Sequence, residues 1–216
     1  MYKIQKILKM DNSIPITTLF LDIGGVLLTD GWGHLSRNLA AKTFNLNLKE
    51  MEIRHSMVFD TYELGKLTIR EYLHNVVFYE KRTFTQARFQ KFMFAQSHPY
   101  SEMLGLVRRL KEKYGLKMVA VSNEARELNS HRIRKFKLDE FVDSFISSCF
   151  VQLRKPDAEI FRLALDIAQA SARQVGYIEN TAIFVKVAED LETRSIYHTD
   201  YMSTYAKLNS FGLEIE

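Results

Sequence analysis

The sequence predicts an α/β protein built on a doubly wound parallel sheet, with a small helical unit inserted after the first strand. Three observations carry this expectation. Short apolar runs alternate with amphipathic stretches of helical period, the pattern of a parallel sheet covered by helices on both faces. The chain between the first two such runs, near 17–22 and 117–121, is too long for one crossover. And the first run, Leu19-Phe20-Leu21-Asp22-Ile23-Gly24-Gly25, carries one carboxylate to a double glycine. An acid at the C-terminal end of a strand sits where ligands bind in such sheets, and glycines let the backbone approach them closely.

The elements follow in order. Residues 1–16 carry lysines but no continuous apolar run and no small-residue cleavage pattern. They read as an extension ahead of the first strand, not as a signal peptide. The first strand covers 17–22. Residues 33–96 read as four helices, His34 to Thr43, Leu48 to Leu64, Thr68 to Phe78 and Thr83 to Gln96. Phe84, Phe89, Phe92, Met93 and Phe94 fall at helical spacing in the last, the signature of a bundle core. This segment is expected to form a cap of its own, with 17–32 and 97–216 forming the core domain. A cap closing over the strand ends would exclude water. Beyond it, helices are expected near 100–114, 124–136, 157–169 and 181–191, and strands near 117–121, 143–147, 175–178 and 194–197. Lys155-Pro156 is read as opening the third of these helices, because proline is tolerated in a first turn.

Composition bounds the function. A chain of 216 residues with 46% hydrophobic content suits one core domain with an insertion. The net charge of +4 suits small anionic substrates. The densest basic run, His131 to Lys137, has no accompanying nucleic-acid motif and reads as a solvated helix face, so no nucleic-acid partner is expected. The single cysteine, Cys149, cannot form an internal disulfide and reads as a core or strand-end residue. That fits a reducing, cytoplasmic setting. No apolar stretch is long enough to span a membrane, so no membrane association is expected.

The strand ends should converge. Asp22, Ser122 at the end of Val119-Ala120-Val121-Ser122-Asn123, and Glu179 at the end of Val175-Gly176-Tyr177-Ile178-Glu179-Asn180 would share one edge of the sheet, with Lys155 nearby. A carboxylate, a hydroxyl, an ammonium and a second carboxylate can together handle a phosphoryl group.

These segments, with Leu153-Arg154-Lys155-Pro156-Asp157, resemble in order and spacing the four motifs of the haloacid dehalogenase (HAD)-like hydrolases. The resemblance spans about residues 17–198. It is nearest the branch holding small sugar-phosphate phosphatases, epoxide hydrolase N-terminal domains and 2-haloacid dehalogenases. It implies a Rossmann-like core with a helical cap. It implies Asp22 as nucleophile, Ser122 as hydrogen-bond donor to the substrate and Lys155 as counter-charge. Gly24, Gly25 and Asn123 would line the substrate. Asp22, the Gly24 carbonyl, Glu179 and Asn180 would hold Mg²⁺.

Two departures shape the expected chemistry. Gly24 stands where most phosphatases of the superfamily carry a second Asp as general acid and base. Glu179-Asn180 replaces the usual Asp-Asp pair, which predicts weak Mg²⁺ binding, since this ion favours anionic oxygen ligands. Asp30, His34 and Glu124 are candidates for the missing acid. Trp32 and Arg37 either contact substrate or pack the hinge. The expectation is a phosphatase acting on a small phosphorylated metabolite through an aspartyl intermediate. The alternatives are a metal-independent dehalogenase-like hydrolase and a domain that binds without turnover.

Overall fold

The computed structural model describes residues 14–215. The extension expected over 1–16 therefore lies mostly outside the described residues. Strand β1 (Thr18–Leu21) is followed by four helices, α1 (His34–Phe44), α2 (Leu48–Glu63), α3 (Ile69–Val76) and α4 (Gln86–Ala95). Then come α5 (Ser101–Tyr114), β2 (Lys117–Ser122), α6 (Arg126–Lys135), β3 (Ser144–Ser147), the single turn α7 (Ser148–Val151) and α8 (Ala158–Ala168). The chain finishes with β4 (Val175–Glu179), α9 (Ala182–Asp190), β5 (Arg194–Tyr197) and α10 (Tyr201–Ser210).

Among the described residues, five strands form one parallel sheet in the order β3-β2-β1-β4-β5. The chain builds outward from β1 through β2 to β3, then returns across β1 to build β4 and β5. The crevice between β1 and β4, where the direction of winding reverses, is where ligands bind in such sheets. Register sets Leu21 beside Ala120 and Ile178, so the next residue of β1, Asp22, falls among the ends of β2 and β4.

Alternation along each strand divides the core in two. Leu19 and Leu21 of β1, with Met118 and Ala120 of β2, pack against Leu106, Leu110 and Leu208 of α5 and α10. Phe20, Val119, Val121 and Tyr177 face the other way, onto Ile160, Phe161 and Ala164 of α8 and Ala188 of α9. Continuous burial on both faces explains why these strands read as unbroken apolar runs.

Helices α1 to α4 share a third apolar cluster. The Phe44 ring meets Phe84, Phe89 and Phe92 at centroid distances of 4.6, 4.9 and 5.2 Å. Phe94 differs from its neighbours: it stacks on His131 of α6, so the aromatic stripe also joins the insertion to the sheet layer. The two ends of the insertion leave the core side by side. Thr29 N donates to His98 O at 2.9 Å, and Tyr100 N donates to Leu27 O at 2.9 Å. A second attachment is the α2–α3 turn. Gly65 (φ +70°) comes so close to β3's trailing turn that a Cβ would lie 2.4 Å from Cys149 O.

Two expectations are corrected. Lys155-Pro156 does not open a helix: Asp157 N bonds to Arg154 O in a turn, and α8 starts at Ala158. The reason is Asp157, whose carboxylate accepts from Glu159 N at 3.0 Å and makes the better cap. Arg132, read as part of a solvated face, is 1% exposed. Helix α10 was not anticipated; its inner face presents only Thr204 and Leu208 as buried residues, too sparse a period to read. Among the described residues no helix is long and apolar enough to cross a membrane.

Candidate active site

Asp22, Ser122, Lys155 and Glu179 come together at the ends of β1, β2, β4 and the turn before α8. Ser122 Oγ donates to Asp22 Oδ1 at 2.7 Å, and Ile23 N donates to the same oxygen at 2.9 Å. Lys155 Nζ lies 3.0 Å from Asp22 Oδ1 and 2.6 Å from Glu179 Oε2. Three donors thus fix one oxygen of Asp22. Its Oδ2 takes no hydrogen bond among the described residues, and Asp22 borders a cleft of about 400 Å³.

Lys155 is held from both ends. Asn123 accepts from Lys155 N and donates to Lys155 O, both at 2.9 Å. Its amide is thus engaged by the lysine backbone. Burial works against the Lys155 ammonium, but Asp22 and Glu179 outweigh it and keep its pKa above the ordinary lysine value. Glu179 is 0% exposed and fully occupied: Oε2 accepts from Lys155 and from the Tyr177 hydroxyl, and Oε1 accepts from Thr181 N at 2.8 Å. Burial and the charge of Asp22 push its carboxyl up. Tyr177 escaped the sequence reading, although a residue two before Glu179 on a strand must share its face.

The double glycine lies beneath two polar side chains. A Cβ on Gly25 (φ +78°) would fall 1.9 Å from Asn180 Nδ2 and 3.0 Å from Asp30 Oδ1, so Gly25 lets both reach the cleft. Among the described residues no three His, Cys, Asp or Glu side chains converge as a metal cluster. With Glu179 engaged, the carboxylate oxygens on the cleft without a protein partner among the described residues are Asp22 Oδ2 and those of Asp30, with the neutral Asn180 amide beside them. Such a set, with the Gly24 carbonyl, would hold Mg²⁺ largely through its own water.

The cleft's other walls carry charge. Glu124 and Arg132 form a buried ion pair, and Arg132 Nη2 donates to Thr29 O, ahead of Asp30. Arg132 Nη1 and Nη2 are thus engaged, while its Nε has no partner among the described residues. That is why Arg132 leaves the solvated run: its partner Glu124 lies in the loop ahead of α6 and is buried with it. On the insertion side, Arg154 pairs with Glu63 at 2.6 Å and Asp60 at 3.0 Å. Burial pushes the Glu63 carboxyl up to about 7 against the pull of Arg154. Trp32 Nε1 donates to Tyr72 OH at 2.7 Å, and His55 Nδ1 meets the same hydroxyl at 2.8 Å. Burial, aided by Arg37, lowers His55 to about 4, so its imidazole is neutral. Arg37 binds Glu52 and the Trp32 carbonyl. Trp32 and Arg37 thus pack the hinge while bordering the cleft. His34, also on the cleft, pairs with Glu52 at 3.3 Å. Cys149 is buried and its thiol pushed up to about 12, which leaves it unreactive.

This fold and this cluster define a class. Residues 16–183 match the family of haloacid dehalogenase-like hydrolases, and the chain belongs to it. Its fold is similar to that of the HAD family enzyme bt-2542 from Bacteroides thetaiotaomicron, with a TM-score of 0.72 at 21% identity over 84% of this chain and 93% of that one. A structure of that wild-type enzyme in complex with magnesium and inorganic phosphate gives 0.71 at 21% identity, over the same shares. L-2-haloacid dehalogenase from Xanthobacter autotrophicus with chloropropionic acid covalently bound gives 0.61 at 12% identity, over 93% of this chain and 85% of that one. No curated protein matches the sequence.

Proposed function

We propose that the chain hydrolyses a small phosphate monoester through an aspartyl-phosphate on Asp22. The observation that carries this reading is the asymmetry of Asp22: Oδ1 is held by Ser122, Ile23 N and Lys155, while Oδ2 is free at the cleft. A carboxylate fixed in this way is oriented for in-line attack and loses little freedom in the transition state. Lys155 balances the charge that builds on the transferring group. Glu179 and Tyr177 keep that ammonium in place. Asn123 serves by fixing the Lys155 backbone; Gly25 N donates to Leu28 O at 2.7 Å, so of the two glycine amides the one at Gly24 would serve a phosphoryl oxygen. Magnesium, where bound by Asp22, the Gly24 carbonyl and Asn180, would supply further positive charge. Helices α1 to α4 act as a cap, with Arg37 and Arg154 favouring an anionic substrate. The magnesium and phosphate complex of bt-2542 supports the reading by likeness of fold.

A second reading, attack on a halogen-bearing carbon, draws on one observation. The buried Lys155–Glu179 pair takes up the acid that a metal would need, and halide departs without a proton. The test is direct. The unaltered chain should release phosphate from p-nitrophenyl phosphate faster with Mg²⁺ than with chelator, and Asp22→Asn should lose at least ~10³-fold while folding normally. Halide release from 2-chloropropionate with no phosphatase activity would select the second reading. Turnover of neither would leave a binding domain.

A further inference from the structure

An ester oxygen leaves as an alkoxide unless it is given a proton, and the water that later attacks phosphorus must lose one. Position 24, two residues past the nucleophile, is a glycine and can do neither. The geometry points to Asp30 as the general acid and base of this site, supplied by the far end of the loop that leaves β1. This assignment rests on the phosphatase reading.

The loop doubles back over the glycines. The Asp30 Cα lies 3.7 Å from where a Cβ on Gly24 would sit, so the two positions adjoin. Its Oδ1 lies 3.0 Å from the Cβ position of Gly25, and the carboxylate borders the same cleft as Asp22. Gly33 leaves room on the other side, with Asp30 Oδ2 3.3 Å from its Cβ position. Among the described residues the Asp30 side chain has no hydrogen bond or ion pair. Its backbone is held: Arg132 binds the carbonyl of Thr29, Glu124 holds Arg132, and Trp32 N donates to Asp30 O at 2.8 Å. The buried Glu124–Arg132 pair thus gains a purpose as the brace of a catalytic loop.

The cleft's other carboxyls away from Asp22, and His34, are committed. Glu124 is sealed against Arg132, Glu63 is bound by Arg154, and His34 is paired with Glu52. In the first step Asp22 Oδ2 bonds to phosphorus, the bond from phosphorus to the ester oxygen breaks, and Asp30 gives that oxygen its proton. In the second, Asp30 takes a proton from water, the new hydroxide bonds to phosphorus, and the bond to Asp22 breaks, releasing inorganic phosphate.

The test compares phenyl phosphate, whose leaving group needs a proton, with 2,4-dinitrophenyl phosphate, whose leaving group does not. In rapid-mixing experiments Asp30→Asn should slow the first release of phenol by ~100-fold or more, while the first burst of dinitrophenolate changes by less than ~5-fold and slow turnover follows. Asp30→Glu should recover part of the phenyl phosphate rate. Equal slowing of both first releases, or no slowing of either, would overturn the assignment and leave the phosphatase reading standing. If the unaltered chain cleaves neither ester, or Asp22→Asn keeps the burst, the reading falls and the assignment with it.

Discussion

Lys155 is the residue on which the site's charge balance turns. It is 1% exposed and sits between the carboxylates of Asp22 and Glu179. Removing one member of such a group leaves uncompensated charge. Lys155→Met is expected to cost ~3–5 kcal/mol in urea unfolding, and adding Glu179→Gln should recover much of it. If the double variant is no more stable than the single one, the lysine is not neutralising Glu179. Asn180 tests the metal separately. Asn180→Asp replaces a neutral amide with a further carboxylate, so calorimetry should show tighter Mg²⁺ binding than in the unaltered chain. Tight binding to the unaltered chain with no gain in the variant would contradict the ligand-charge argument. Asp22, Ser122 and Lys155 were legible because each ends an apolar run or precedes a proline. Arg132 was not, because its partner Glu124 lies beyond the reach of a helical-face pattern and only the folded loop reveals the Thr29 carbonyl it serves.

At the scale of elements, the α2–α3 turn governs how the insertion meets the sheet layer. Glu63 ends α2 and is held near pH 7 by burial, far above its ordinary value of 4.5. A carboxyl raised in the folded state favours folding at low pH, and that contribution fades as pH rises from about 4.5 through about 7. The decline is on the order of 3 kcal/mol, and Glu63→Gln should flatten this part of the stability profile. A profile unchanged by the substitution would mean that Glu63 ionises freely. Gly65→Ala should lower the melting temperature and loosen the insertion, since the turn needs a positive φ and its Cβ would strike the Cys149 carbonyl. Helix positions were readable here from apolar period alone. Contacts between layers were not: Phe94 reads like its neighbours, and nothing local marks Gly65 as a point of close approach.

For the molecule as a whole, the alternation of strand and helix was enough to foresee a parallel sheet, because strands buried on both faces announce themselves as unbroken apolar runs. Strand order was not foreseen in detail, and it has a consequence for how the protein is made. Of the five strands β1 leaves the ribosome ahead of the others but occupies the middle of the sheet, and its partners come from far downstream. Asp22 waits about a hundred residues for Ser122, and longer again for β4, roughly ten to thirty seconds at ordinary rates of translation. Through that interval an apolar strand with two open edges is exposed to any aggregating neighbour. A nascent chain halted before β4 should stay sensitive to protease and bind chaperones, whereas one carrying β4 and β5 clear of the exit tunnel should become resistant in a single step. Asp22 is therefore synthesised well before the residues that come to surround it.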